Sequence, residues 1–197
     1  MDPVAHTLFG AALAESGLKR TSRYATATLL ISANLPDIDV LAHMAGNDAS
    51  LYFRRGWSHG ILALILLPLA LAGLVWLWHR WREHKQKVGP PFRMGVIVGL
   101  SYLGVLSHLF LDWLNTYGVR LLMPFDDRWF YGDSLFIIDP WFWLLAAVGV
   151  VLARSGRLAA IIGWLLLGTL SSLLILTADL ATPAIKLLWL AGLVVIL

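Results

Sequence analysis

Three long apolar runs constrain this chain more than any other feature: residues 61–78, Met94–Leu114 and residues 158–176. A helix rises 1.5 Å per residue, so crossing a hydrocarbon core takes about 20 apolar residues. The rest of the chain cannot clothe such runs as a soluble core. Hydrophobic residues make up 59% and charged residues 14%, against about 25% charged in an ordinary soluble domain. Lipid offers no partner for bare backbone groups, and helices satisfy their own. The expected fold is therefore all-α, a polytopic helical transmembrane bundle. A fourth run, Pro140–Ala153, is shorter, and residues 135–138 would extend it. A fifth, residues 183–197, stops while still apolar, which reads as a truncated chain. Two weaker stretches, 6–18 and 24–35, read as short N-terminal helices that are tilted, buried or re-entrant. The whole chain, 1–197, is read as one membrane-embedded helical domain. Residues 1–60 carry short helices and polar motifs, 61–114 the first two long spans, 115–139 an outer loop and 140–197 further spans.

Absent residues narrow the chemistry. With no cysteine, disulfides, thiolate metal sites and cysteine nucleophiles are excluded. The opening residues carry no basic segment or cleavage site of the kind a removable signal peptide needs. Basic residues are scattered without aromatic interleaving, so no nucleic-acid surface is expected.

Loop charge sets an orientation. The linker 79–93 carries Arg80, Arg82, Lys85, Lys87 and Arg93 against Glu83, which assigns it to the cytoplasm. Arg154 and Arg157 point the same way. The loop 115–139 holds Asp126, Asp127, Asp133 and Asp139 against Arg120 and Arg128, and is assigned to the outer face. Lys19, Arg20 and Arg23 then lie inside, while Arg54 and Arg55 fall outside, against the rule. This alternation sends His6, Asp37, Asp39, His59, His108 and Asp112 to one end of the bundle. His79 and His84, in the basic linker, are read as solvated.

His108 and Asp112 lie four apart near the end of an apolar run, on one helix face. Such a pair can share a metal, or the carboxylate can orient the imidazole; an interfacial Asp beside a satisfied core His is the bland alternative. In Asn34-Leu35-Pro36-Asp37-Ile38-Asp39, the proline ends the preceding helix, and two carboxylates project from an irregular segment. They suit a cation or, equally, a helix cap. Asp39 and His43 form a further four-spaced pair of lower rank. In Arg54-Arg55-Gly56-Trp57-Ser58-His59-Gly60, glycines flank His59 and permit close backbone approach. The paired arginines suit phosphate or carboxylate recognition, or anchoring to anionic headgroups. His6 in isolation reads as structural and gains weight only from the topology. Gly95 and Gly99 read as close helix packing, and tryptophans 76, 78, 81, 113, 141 and 143 as an interfacial belt. Ser58 and Thr7 lack the spacing of a nucleophile elbow.

Taken together, Met1-Asp2-Pro3-Val4-Ala5-His6-Thr7, the Asn34–Asp39 motif, Arg55-Gly56-Trp57-Ser58-His59 and His108-Leu109-Phe110-Leu111-Asp112 resemble the YdjM family. The resemblance runs to about Trp143. It implies a bacterial inner-membrane protein of a family described as metal-dependent hydrolases, with LexA binding attached to the family name. Residues 131–140 also look familial, making Asp133 and Asp139 secondary site candidates. More distantly, the order of His, Asp, His and His-x-x-x-Asp is similar to zinc-dependent phospholipase C. That similarity implies metal-ligand roles for Asp37 or Asp39, His59, His108 and Asp112, although further downstream ligands have no counterpart here.

Two functions follow as expectations. In the first, a membrane-bound metal-dependent hydrolase acts on a lipid or other phosphoester at the outer surface. His6, Asp37, Asp39, His59, His108 and Asp112 hold one or two divalent ions, with zinc the expected metal. Asp37 and Asp112 are the catalytic carboxylates, and Arg54 and Arg55 hold an anionic headgroup. In the second, the protein is a non-enzymatic transporter or partner-binding scaffold. A transporter would place polar residues mid-helix in several spans, where Ser101, Ser107, Thr169, Ser171 and Ser172 are the only hints.

Overall fold

The computed structural model describes residues 1–82, 89–154, 156–179 and 181–196, with 49–51 and 195–196 traced by backbone alone. Glu83, His84, Lys85 and Lys87 of the basic linker lie outside the described residues. The architecture is all-helical. The helices are α1 (Pro3–Glu15), α2 (Ala25–Ser32), α3 (Asn47–Phe53), α4 (Ile61–Arg82), α5 (Met94–Leu114), α6 (Pro140–Ala153), α7 (Leu158–Thr177) and α8 (Pro183–Ile196). A winding 3₁₀ segment, Leu35–Ala45, joins α2 to α3. Three of the helices, α4, α5 and α7, are long and apolar enough to cross a membrane. The chain divides into two compact units, Met1–Asp139 and Pro140–Leu197.

Small residues build the first unit. The Asp2 carboxylate caps α1, accepting from Val4 N at 2.9 Å and Ala5 N at 3.1 Å, and Pro3 suits the first turn. The buried face of α1 is Ala5, His6, Gly10 and Ala14, a narrow stripe at helical spacing. A Cβ on Gly10 would sit 3.0 Å from Ala33 Cβ and from Leu29 O, so glycine sets how closely α1 meets α2. The helix α2 spans only 8 residues. It is held less by propensity than by burial of Ala25, Leu29 and Leu100 with Ala14 in one cluster, in keeping with the marginal stability of short isolated helices. A second cluster of Leu71, Ala72, Val75 and Ile97 binds α4 to α5.

Close packing falls elsewhere on α5 than the sequence suggests. Gly95 and Gly99 have open space where a side chain would stand. The tight contact is at Gly104, where an added Cβ would strike the Ser32 hydroxyl and lie 3.1 Å from Ala33 N. The linker histidine also differs from expectation. His79 stacks on Phe92, with ring centroids 4.1 Å apart, because the residues just before α5 pack against that end of α4.

The loop between α5 and α6 straps the opposite end. Val119 and Phe130 form an isolated antiparallel bridge, and Asn115 pairs with Leu135. Arg120 N donates to Arg55 O at 2.8 Å, Ile61 N to Leu121 O at 2.9 Å, and Asp2 N to Ile137 O at 3.1 Å. Residues 135–138 therefore belong to this strap and do not extend α6, which starts at Pro140. In the second unit, Trp141 meets the buried Trp189 edge-on at 4.5 Å. The Trp189 indole N–H donates to Ser172 Oγ at 3.1 Å.

Candidate metal centre

The strapped end of the first unit gathers polar groups from four segments. His6 comes from the first turn of α1, Asp37 from the 3₁₀ segment, His59 from the residues before α4, and His108 and Asp112 from the last turns of α5. One ligand atom from each of Asp37, His59, His108 and Asp112 lies within 4.8 Å of the other three. His59, His108 and Asp112 are fully buried, and Asp37 is half-buried.

The distances are those of a coordination shell. His59 Nε2 is 3.1 Å from His108 Nε2 and 3.2 Å from Asp112 Oδ2. His108 Nε2 is 3.5 Å from Asp112 Oδ2 and 3.6 Å from Asp37 Oδ1. His59 Nε2 is 4.0 Å from Asp37 Oδ1. Four N and O ligands at about 2.1 Å around a tetrahedral ion lie about 3.4 Å from one another.

Hydrogen bonding fixes what the imidazoles present. His108 Nδ1 lies 2.7 Å from Ala33 O, and a carbonyl only accepts, so the proton is on Nδ1 and the Nε2 lone pair faces inward. On His59, Nδ1 lies 2.9 Å from Ser58 Oγ and 3.6 Å from the Asp39 carboxylate, which favours the proton there too. Two inward lone pairs and the carboxylate oxygens then converge on one point. Among the described residues Asp112 Oδ2 finds no hydrogen-bond donor, and Nδ1 of buried His6 has no partner. Buried polar atoms without partners are rare and costly, and a cation would satisfy Asp112 Oδ2. The residues present thus fit a metal ion. Burial dominates the electrostatics outside the spans: it lowers the pKa of His59, keeping it neutral, and raises that of Asp37.

The remaining expected residues take other positions. His6 stacks on His108, centroids 3.7 Å apart, with Nε2 3.3 Å from Asp112 Oδ1; it adjoins the four without joining them. Asp39 stands on the far side of the His59 ring and accepts from Arg55 N at 2.8 Å, so it orients the ring. Arg55 is turned inward. Its Nη1 donates to Asn115 Oδ1 at 3.1 Å and Gly118 O at 3.0 Å, and Nη2 lies 3.3 Å from Asp112 Oδ1. Arg54 stays exposed and lines a cleft of about 340 Å³ with Asp37, Asp39, His43 and Arg55. His43 is exposed, Asp133 is exposed and Asp139 is half-buried; none is in the cluster of four.

The sequence reading missed Asn115. It is fully buried, and its Oδ1 also accepts from Tyr117 N at 2.7 Å and Gly118 N at 2.9 Å. Its amide leans on Asp112 Oδ1 at 3.4 Å. The available signal was its place three residues after Asp112, on the same helix face. Arg120 was likewise read only as loop charge. It donates to the carbonyls of Tyr52 and Arg54, pinning the segment that carries His59.

An all-helical membrane fold closing over a carboxylate–imidazole cluster defines the class. Comparison supplies the family: the chain matches the YdjM inner membrane protein family over residues 1–182 and belongs to it. It is also similar to the uncharacterized protein YfhP of Bacillus subtilis (strain 168), with 23% identity over 123 residues. That match covers 61% of this chain and 35% of the relative, so the chain spans about a third of the length of the curated relative it matches. No solved structure matches the chain, and the distant similarity to zinc-dependent phospholipase C finds no support.

Proposed function

We propose that the protein is a metal-dependent hydrolase of phosphoesters at the membrane surface, with zinc as its metal. The observation that carries this reading is the convergence of two tautomer-locked imidazoles and the Asp112 carboxylate within 3.1 to 3.5 Å of one another, a mixed N and O set that suits zinc. A bound cation would supply Lewis-acid polarisation of a phosphoryl oxygen and activation of water at neutral pH.

The chain's own groups divide the remaining work. Asp112, His59 and His108 hold the cation, while Asp39 and Ala33 O fix the two rings from behind. Asp37 is the member of the four that borders the cleft, so its carboxylate is placed to take a proton from attacking water. Water adds to phosphorus, the bond to the leaving oxygen breaks, and the products are an alcohol and a phosphate with one ester fewer. Exposed Arg54 at the cleft mouth binds the phosphate's negative charge. Arg80, Arg82 and Arg93, at the end of α4 and start of α5 remote from the cluster, support an extracytoplasmic site in a multi-pass protein of the inner membrane.

The test is zinc content by mass spectrometry, with phosphodiesterase activity, for purified wild-type, His108→Ala and Asp112→Ala proteins. The expected result is close to one zinc in the wild type and loss of both zinc and activity in the variants. Equal metal content in all three would overturn the site.

A further inference from the structure

Beside the candidate centre lies a second cavity that the hydrolase reading does not use. It is a groove of about 660 Å³ between the 3₁₀ segment and the start of α4. Ile38, Ala42, Phe53, Trp57, Leu62 and Leu66 form its walls, and it reaches Leu67. From Ile61 to Leu67 the helix rises about 9 Å, so the groove follows the first two turns of a helix long and apolar enough to span the membrane.

Among the described residues, Asp39 and Ser58 bring a carboxylate and a hydroxyl to its lining. Both touch His59 Nδ1, at 3.6 Å and 2.9 Å, and Asp39 also lines the polar cleft that holds Asp37 and Arg54. The groove thus adjoins the polar cleft, the Asp39 side chain lining both: charged groups on one side, hydrocarbon-like walls on the other. The rim matches a headgroup-depth position. Near its mouth Tyr52 is 57% exposed and Trp57, a lining residue, 42% exposed, and Tyr and Trp favour the interface between lipid and water.

We infer that this groove binds the hydrocarbon chain of the substrate, so that the site acts on a phosphoester carrying a long alkyl or acyl chain, its phosphate in the Asp37–Arg54 cleft. The inference rests on the hydrolase reading for the identity of the head. In a bilayer the chain is already in hydrocarbon, so the groove contributes orientation more than affinity. It holds the phosphorus against the cluster, an effect that raises the rate of reaction by fixing geometry.

The experiment uses the full chain in detergent and two chromogenic diesters, ethyl and decyl p-nitrophenyl phosphate. Water adds to phosphorus, nitrophenolate leaves, and the alkyl phosphate remains. The expected ratio of kcat/KM, decyl over ethyl, is at least about tenfold in the wild type, since only the longer chain reaches the groove and fixes the phosphate against the cluster. It should fall towards unity in Ala42→Phe and Leu66→Trp, two groove-filling changes on different elements. A second readout needs no turnover: decyl phosphate with a photoactivatable group at the chain end should label residues 38–42 or 62–67. Labelling in the groove without hydrolysis of either diester would uphold the groove and overturn the hydrolase reading. Hydrolysis with a ratio unaltered by both variants and labelling scattered over the other helices would overturn the groove and leave the hydrolase standing. Labelling confined to a contact between two copies of the chain would also overturn it.

Discussion

Arg55→Met separates two roles for a buried arginine. If Arg55 neutralises Asp112, the change removes an ion pair at 3.3 Å, hydrogen bonds at 3.1 and 3.0 Å, and a stack on the Tyr117 ring at 4.9 Å. Removing one member of a buried pair costs about 3–5 kcal/mol when the other charge stays uncompensated; the Met1 ammonium, also paired with Asp112 Oδ1, keeps part of the compensation, so this range is an upper bound. That is a large share of the roughly 5–15 kcal/mol that holds a folded domain. At about 2–4 °C per kcal/mol for a chain of this length, Tm should drop by at most roughly 6–20 °C. Zinc places positive charge against the same carboxylate, so saturating zinc should raise Tm by more in Arg55→Met than in the wild type. Arg55→Lys keeps the charge while losing the fork, and should fall between the two. The assay is thermal unfolding of purified protein with chelator and with zinc. A Tm within about 2 °C of wild type, together with a raised KM, would refute the reasoning and return Arg55 to the substrate.

Other outcomes follow from the same contacts. Gly104→Ala should lower stability by about 1–3 kcal/mol through overpacking against Ser32. It should also weaken zinc binding, since Ala33 moves with Ser32 and its carbonyl orients His108; unfolding and zinc titration read the two effects, and unchanged zinc affinity would sever that link. Asp39→Asn should reduce zinc affinity roughly 10–100-fold without abolishing it, as loss of an orienting partner does. Complete loss would make Asp39 a direct ligand. Removing zinc from the wild type should lower stability by about 2.7 kcal/mol relative to protein held at a hundredfold excess over Kd, measured as a chelator-dependent Tm shift.

The sequence by itself determined the class and the list of suspects. Apolar runs long enough to cross a membrane could end only as buried or membrane-spanning helices, and the bounds expected for one survive unchanged in α5. His108 and Asp112 were legible because four-residue spacing places side chains on one face whatever the surroundings. Asp37 and His59 were legible as chemistry-bearing types beside helix breaks. Their division into roles was not, because it depends on rotations that no local pattern encodes. Asp39, two residues from Asp37, lies behind the His59 ring, and Arg55, next to Arg54, is buried while its neighbour is exposed. The close approach at Gly104, absent at Gly95 and Gly99, follows from where Ser32 crosses α5. Asn115 became part of the site only when the strap folded over it. Local spacing sets which side chains share a helix face; tertiary packing alone decides which lone pairs meet across 3.1 Å.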